Sequence, residues 1–142
     1  MACRGDLTVK LTALMLCDSA SVREELLHVL GAGITRVSRP KYPAPLNLSV
    51  AILLSPEGDD TGMSYQGSLK VLSDDGNESL AYIEFNLMNQ RETGEEPTVL
   101  PVVPAVFSLD NVFLPKPGVY RIDFRLADEL AAPLEFVAVE TH

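Results

Sequence analysis

Pro117-Gly118-Val119-Tyr120-Arg121-Ile122-Asp123-Phe124-Arg125-Leu126 decides the fold class. Tyr120, Ile122, Phe124 and Leu126 recur at every second position, and Arg121, Asp123 and Arg125 fill the places between. Side chains of a strand point to opposite faces in turn, so this pattern sets one face in a core and one in water. That describes a half-buried strand of an antiparallel sheet. Pro117-Gly118 is the turn signal that opens it.

The same period of two spreads outward through the chain. In Ser79–Met88, Tyr82, Glu84 and Asn86 alternate with Ile83, Phe85 and Leu87. Gln66–Leu72 reads as a strand just before it. Between them lies Ser73-Asp74-Asp75-Gly76-Asn77, and Asp-Gly between two alternating runs is a strong hairpin signal. Leu7–Cys17 and Leu46–Leu54 read as further strands, the latter bounded by Pro45 and by Pro56-Glu57-Gly58. Val99–Leu109 is extended, but Pro101 and Pro104 confine it to an edge or a bulge. Leu134–Val139 follows Pro133 as the last strand.

One segment supports two readings. Ser21-Val22-Arg23-Glu24 fits a helix capping box, and Gly31 sits where a helix would be capped at its end. The alternative is a strand over Leu26–Leu30, carried past a Gly31-Ala32-Gly33 bulge into Ile34–Val37. In a chain otherwise built of strands, the strand is the reading taken. Neither the proline loop at Pro40, Pro43 and Pro45 nor Glu92–Pro97 is long enough to divide the chain into separate domains. The expected architecture is one domain over residues 1–142. It is all-β, a single antiparallel β-sandwich of about eight strands, immunoglobulin-like or C2-like. Tryptophan is absent and the two cysteines are Cys3 and Cys17, so the Cys…Trp…Cys pattern of antibody domains is missing.

Composition narrows the function. The chain has 142 residues, 46% of them apolar, and a net charge of −9. That balance argues against binding nucleic acid through general phosphate attraction and against docking on anionic lipid. No apolar run reaches the 18 or so residues of a membrane helix. Leu7–Leu16 contains Lys10 and lacks a cleavage site, so it reads as a strand and not as a signal peptide. Two cysteines are too few for a disulfide scaffold, and a reducing cytoplasm is the expected location.

The charge is uneven. Residues 1–55 carry six basic and four acidic residues, and residues 56–99 carry two basic and ten acidic. Asp59, Asp60, Asp74, Asp75 and Glu78 fall in turns and form a possible acidic loop face. Arg36, Arg39, Lys41 and Tyr42 form a possible basic contact patch. Calcium takes six to eight oxygen ligands and could use such loop acids. Solvated turns are the plainer reading, because turns favour Asp, Asn and Gly in any case.

Catalytic sets are thin. Cys17 with His28 is the one pairing available to a cysteine-dependent hydrolase, and Cys17 reads better as a small buried hydrophobe. A zinc site needs four Cys or His ligands, or three with an open position, and the chain has two of each with one His the last residue, so none is expected. Gly31-Ala32-Gly33 is followed by Arg36 where a dinucleotide loop has its third glycine. No cofactor, no metal site and no catalytic residue is expected.

Leu14-Met15-Leu16-Cys17-Asp18-Ser19-Ala20, with Leu27-His28-Val29-Leu30-Gly31-Ala32-Gly33-Ile34-Thr35-Arg36-Val37, resembles a family of small bacterial, actinobacterial-type all-β proteins of unknown function. That family's pattern has an opening strand ending in Ala-Asp-Ala. A second strand closes in Leu-Gly-Gly-Gly, with an aromatic residue next. Cys17-Asp18-Ser19 and Gly31-Ala32-Gly33 stand at those places here, and Ile34 replaces the aromatic. Pro117–Ile122 and Leu134–Val137 resemble the last two strands. The resemblance runs from about Leu7 to Glu140, favours a strand over Leu26–Val37, and implies no activity.

The expected function is therefore a non-catalytic protein-interaction module. It would use loops or an edge strand, with Val99–Leu109 the edge to test, and an unknown protein or a second copy as partner. Calcium or small-ligand binding at the acidic loops is the alternative. A phage or virion structural role is a variant of the first reading.

Overall fold

The computed structural model describes residues 9–56, 64–73, 75–88, 103–126 and 129–141. Among these residues the secondary structure is all β, with no helix. The strands are β1 (Val9–Arg23), β2 (Leu26–Ala32), β3 (Arg36–Arg39), β4 (Ala44–Pro45), β5 (Ser49–Pro56), β6 (Ser64–Ser73), β7 (Ser79–Met88), β8 (Val103–Ser108), β9 (Phe113–Leu114), β10 (Gly118–Leu126) and β11 (Glu129–Glu140). They form a four-stranded sheet of order β2-β1-β5-β8, a five-stranded sheet of order β3-β11-β10-β6-β7, and a two-stranded sheet of β4 and β9.

β10 lies in the middle of the larger sheet, between β6 and β11. Its inward residues Phe124 and Ile122 meet apolar partners on both sides, and Tyr120 on one. Phe124 is opposite Leu69, Ile122 is opposite Val71 and Leu134, and Tyr120 is opposite Phe136. Tyr120, Ile122, Phe124 and Leu126 are all buried, as the alternation requires. Each such side chain contributes about 1.5–3 kcal/mol of burial free energy. From the smaller sheet Leu16, Val50, Ile52 and Leu54 enter the same core cluster. Leu46, Leu48, Leu109, Val112 and Leu114 close it at the end where β4 meets β9.

Several expectations need correction. The strands number eleven among the described residues, not about eight. The three extra ones are β3, β4 and β9, of four, two and two residues, too short to show a period. The pairing is not wholly antiparallel, because β3 runs parallel to β11 with Val37 beside Ala138. A run of four residues carries no sign of so distant a partner. The last strand begins at Glu129, ahead of Pro133. Only residues 137–140 of β11 pair with β3, so Pro133 loses no hydrogen bond on that side.

Residues 22–30 form no helix: 22–23 and 26–30 are extended and 24–25 turn between them. β1 and β2 form a hairpin in which Arg23 stands opposite Leu26. Glu24 and Glu25 make the turn with φ of 54° and 63°. Positive φ at both central residues marks the type I′ turn, whose twist suits a two-residue hairpin. Pairing with β1 satisfies the backbone groups that β2 turns toward it, and the capping-box residues Ser21 and Glu24 go to the ladder and the turn.

Candidate functional site

The basic set Arg36, Arg39, Lys41 and Tyr42 lies around the β3–β4 connection. Arg39 donates from Nε to the carbonyl of Pro45 at 3.1 Å, from Nη1 to Ser38 at 2.9 Å, and from Nη2 to Leu46. Tyr42 Oη donates to the carbonyl of Val139 at 2.8 Å. Burial raises the Tyr42 hydroxyl pKa, the Arg39 charge lowers it, and Glu140 raises it. Two of the four residues thus bind the chain's own backbone and fasten β3 and β11 to the β4 segment. Arg36 and Lys41 are exposed.

Of the acidic set, Asp59, Asp60 and Asp74 lie outside the described residues. Asp75 and Glu78 belong to the β6–β7 turn. The Asp75 carboxylate accepts from the Asn77 backbone N–H at 3.0 Å, from Ser73 Oγ at 2.7 Å and from the Asn77 side-chain amide at 3.2 Å. Those donors hold its carboxyl below the usual range, the Asn77 backbone N–H first among them. Ser73, Asp75 and Glu78 line a shallow groove of about 330 Å³ with Lys116, Pro117, Gly118, Val119 and Tyr120. Asp75 thus shapes its own turn. Among the described residues no three His, Cys, Asp or Glu side chains come together as a metal site would need.

Cys17 and His28 do not meet. Cys17 stands opposite Ala32 and His28 opposite Ser21, four residues along β1. At about 3.4 Å per residue that is about 14 Å of ladder. Cys17 is fully buried, its Sγ donates to the Ser49 carbonyl, and burial and then Asp18 raise its pKa. A raised thiol pKa opposes thiolate chemistry.

Two features escape a reading of the sequence. The first is Asp123, placed by its alternation on the water face. It is buried, between Lys70 and Pro133 on the neighbouring strands. Its Oδ1 accepts from Arg121 Nε at 2.9 Å. The pair lines a groove of about 560 Å³ with Arg125, Pro133 and Glu135. A carboxylate in a central strand finds its cation two residues away on the same face.

The second is the free edge of β2. β2 and β8 are the outer strands of the four-stranded sheet among the described residues. β8 lies within the expected Val99–Leu109 edge, and it contains Pro104. β2 has no proline and no Asp, Glu, Lys or Arg. Leu26 is 61% and Leu30 69% exposed on one face, and Val22, 42% exposed, lies opposite Leu27 on the other. Beyond Cys17 the strand β1 pairs with β2 alone, so this end of the sheet is a two-stranded ribbon. Edges are usually guarded by charge, proline or a bulge, and β2 between Leu26 and Leu30 has none of these.

The family of unknown function DUF6941 matches residues 12–139. The chain belongs to that family. No curated protein matches the sequence. Among solved structures, the fold of this DUF6941 chain is similar to a portion of the Pseudomonas fluorescens alkylpurine DNA glycosylase AlkC bound to DNA containing an abasic site analogue. The TM-score is 0.50 at 9% identity, over 92% of this chain and 30% of that one. It is also similar to a portion of the β-glucosidase from Listeria innocua in complex with glucose, with a TM-score of 0.49 at 10% identity, over 92% of this chain and 15% of that one. The DUF6941 chain thus spans less than a third of either protein, and the AlkC likeness concerns fold alone.

Among the described residues no helix is long and apolar enough to cross a membrane.

Proposed function

We propose that this chain is a non-catalytic protein-interaction module, a two-layer β-sandwich of a bacterial cytoplasm that presents the β2 edge to a protein partner. The observation that carries the reading is the pair Leu26 and Leu30, more than half exposed on a strand without charge or proline. An open edge offers main-chain hydrogen bonds to an added strand, and alternate side chains supply selectivity. The shared core of the two larger sheets supports the two-layer description. The separation of Cys17 from His28 supports the non-catalytic character of the module.

The test is a photo-crosslinking amino acid in place of Leu30, compared with one in place of Glu84 on exposed β7, in the native host. Discrete protein adducts from position 30 and none from position 84 are the expected result. Equal labelling at both, or none at position 30, would overturn the reading.

A further inference from the structure

We propose that the free edge of β2 pairs antiparallel with β2 of a second copy of this chain, about a two-fold axis at His28. The inference rests on the interaction reading above and names its partner.

The direction of the backbone groups comes first. Arg23 and Leu26 flank a two-residue turn, so they form a hydrogen-bonded pair. Such pairs alternate along an antiparallel ladder. Ser21 with His28 and Ser19 with Leu30 are therefore the next ones. Leu26, His28 and Leu30 turn their N–H and C=O groups toward β1. Leu27 and Val29 turn theirs to the open side.

A two-fold pairing must then bring outward groups against outward groups. An axis at His28 sets Leu27 opposite Val29 of the second copy, and Val29 opposite its Leu27. Leu26 falls opposite Leu30 of the second copy on the other face. Leu26-Leu27-His28-Val29-Leu30 is apolar in both directions from His28, so each cross-strand pair beside the axis joins two apolar side chains. The adjacent registers are worse. An axis at Leu27 sets charged Glu25 opposite Val29. An axis at Val29 sets Leu27 opposite Gly31, whose φ of +64° leaves the extended ladder.

Charge and area both bear on the occupant. The whole chain carries −9, yet Leu26–Leu30 has no formal charge at pH 7, so none of the five opposed pairs contains an acid, and Glu25 falls just outside them, opposite Gly31 of the second copy. Leu26 and Leu30 hold most of the exposed apolar surface here. Five paired residues per copy fall below the roughly 1,200 Å² of a stable interface. The dimer is accordingly weak and forms at high protein concentration.

The test uses the full chain with Cys3→Ser. Directly opposed, non-hydrogen-bonded residues have Cα atoms about 4.5 Å apart, inside the span of about 4.4–6.8 Å that a disulfide bridges. His28→Cys should therefore oxidise to a covalent dimer at least tenfold faster than Leu26→Cys, whose counterpart is residue 30. The double variant Leu26→Cys with Leu30→Cys should match His28→Cys. Light scattering should show the mass of the parent rising with concentration, and Leu30→Lys staying a monomer with an unchanged melting temperature. Equal rates at 26 and 28 would overturn the register. A parent that stays monomeric would overturn the dimer: if adducts persist at position 30 the interaction reading survives, and if they vanish both fall.

Discussion

Gly67 and Phe85 are register partners on β6 and β7, and a Cβ added at Gly67 would stand 2.4 Å from Phe85 Cζ. The carbonyl oxygen of Arg125 would lie 2.9 Å away on the other side. The missing side chain is what lets the Phe85 ring settle over the strand, a cross-strand pairing in which an aromatic covers a glycine. From there the ring stacks on Phe124 at 5.7 Å and meets Phe107 of β8 at 4.8 Å. Phe85 so joins the outer strand of one sheet to the outer strand of the other.

Gly67→Ala should therefore destabilise the fold by about 1–3 kcal/mol, the usual cost of overpacking. Urea unfolding should show a lower midpoint with an unchanged slope. Adding Phe85→Leu to Gly67→Ala should cost less than the two changes do separately. Additive costs would show that the ring and the glycine act independently.

The Glu24-Glu25 turn invites the opposite result. Both residues hold positive φ, which costs an ordinary side chain about 1 kcal/mol or more. Asn-Gly is the sequence this turn type favours. Glu24→Asn with Glu25→Gly should stabilise the chain by about 1 kcal/mol in urea unfolding. A loss of stability would mean that the two glutamates make contacts that outweigh their strain.

These two sites mark where the sequence is legible and where it is not. Gly118–Leu126 and Ser79–Met88 are strands with the bounds their alternation sets, because each pairs with sequence-local or strongly apolar neighbours. The Glu24-Glu25 turn is silent, because glutamate is not a turn former and the ladder imposes the conformation. Leu26–Leu30 spaces its apolar residues as a helix would, and only β1 decides against that. Arg39 reads as surface charge until Pro45 and Leu46 are seen to take its donors. Asp123 reads as a water-facing residue until its strand is found in the middle of a sheet. The exposed edge of β2 is equally invisible beforehand, since exposure of an apolar strand depends on which neighbour is missing.

Asp75 gives a pH-dependent expectation. Its carboxyl is held below the ordinary value of about 3.9 by the Asn77 backbone N–H, then by Ser73 and the Asn77 amide. A group whose folded pKa is depressed stabilises the fold above its unfolded value, and that contribution is lost as pH falls through the folded one. Carbon-detected NMR titration should place the Asp75 midpoint below that of an unstructured aspartate. Ser73→Ala should move it upward by removing one donor. A midpoint unchanged by Ser73→Ala would deny that hydroxyl a role in holding the charge.

The basic set separates into fastening and exposed residues, and stability measurements can tell them apart. Arg39 makes three bonds to backbone carbonyls in a fixed fork that an ammonium cannot reproduce. Each such bond contributes about 1 kcal/mol net, and a carbonyl left without its donor adds to the loss. Arg39→Lys should therefore cost about 1–2 kcal/mol although it keeps the charge. Tyr42→Phe should cost about 1 kcal/mol by freeing the Val139 carbonyl. Arg36→Lys, at an exposed position, should stay within about 0.5 kcal/mol of the parent. If Arg39→Lys were as neutral as Arg36→Lys, the fork would not be what fastens β3 to the β4 segment, and Arg39 would return to the contact patch as a surface charge.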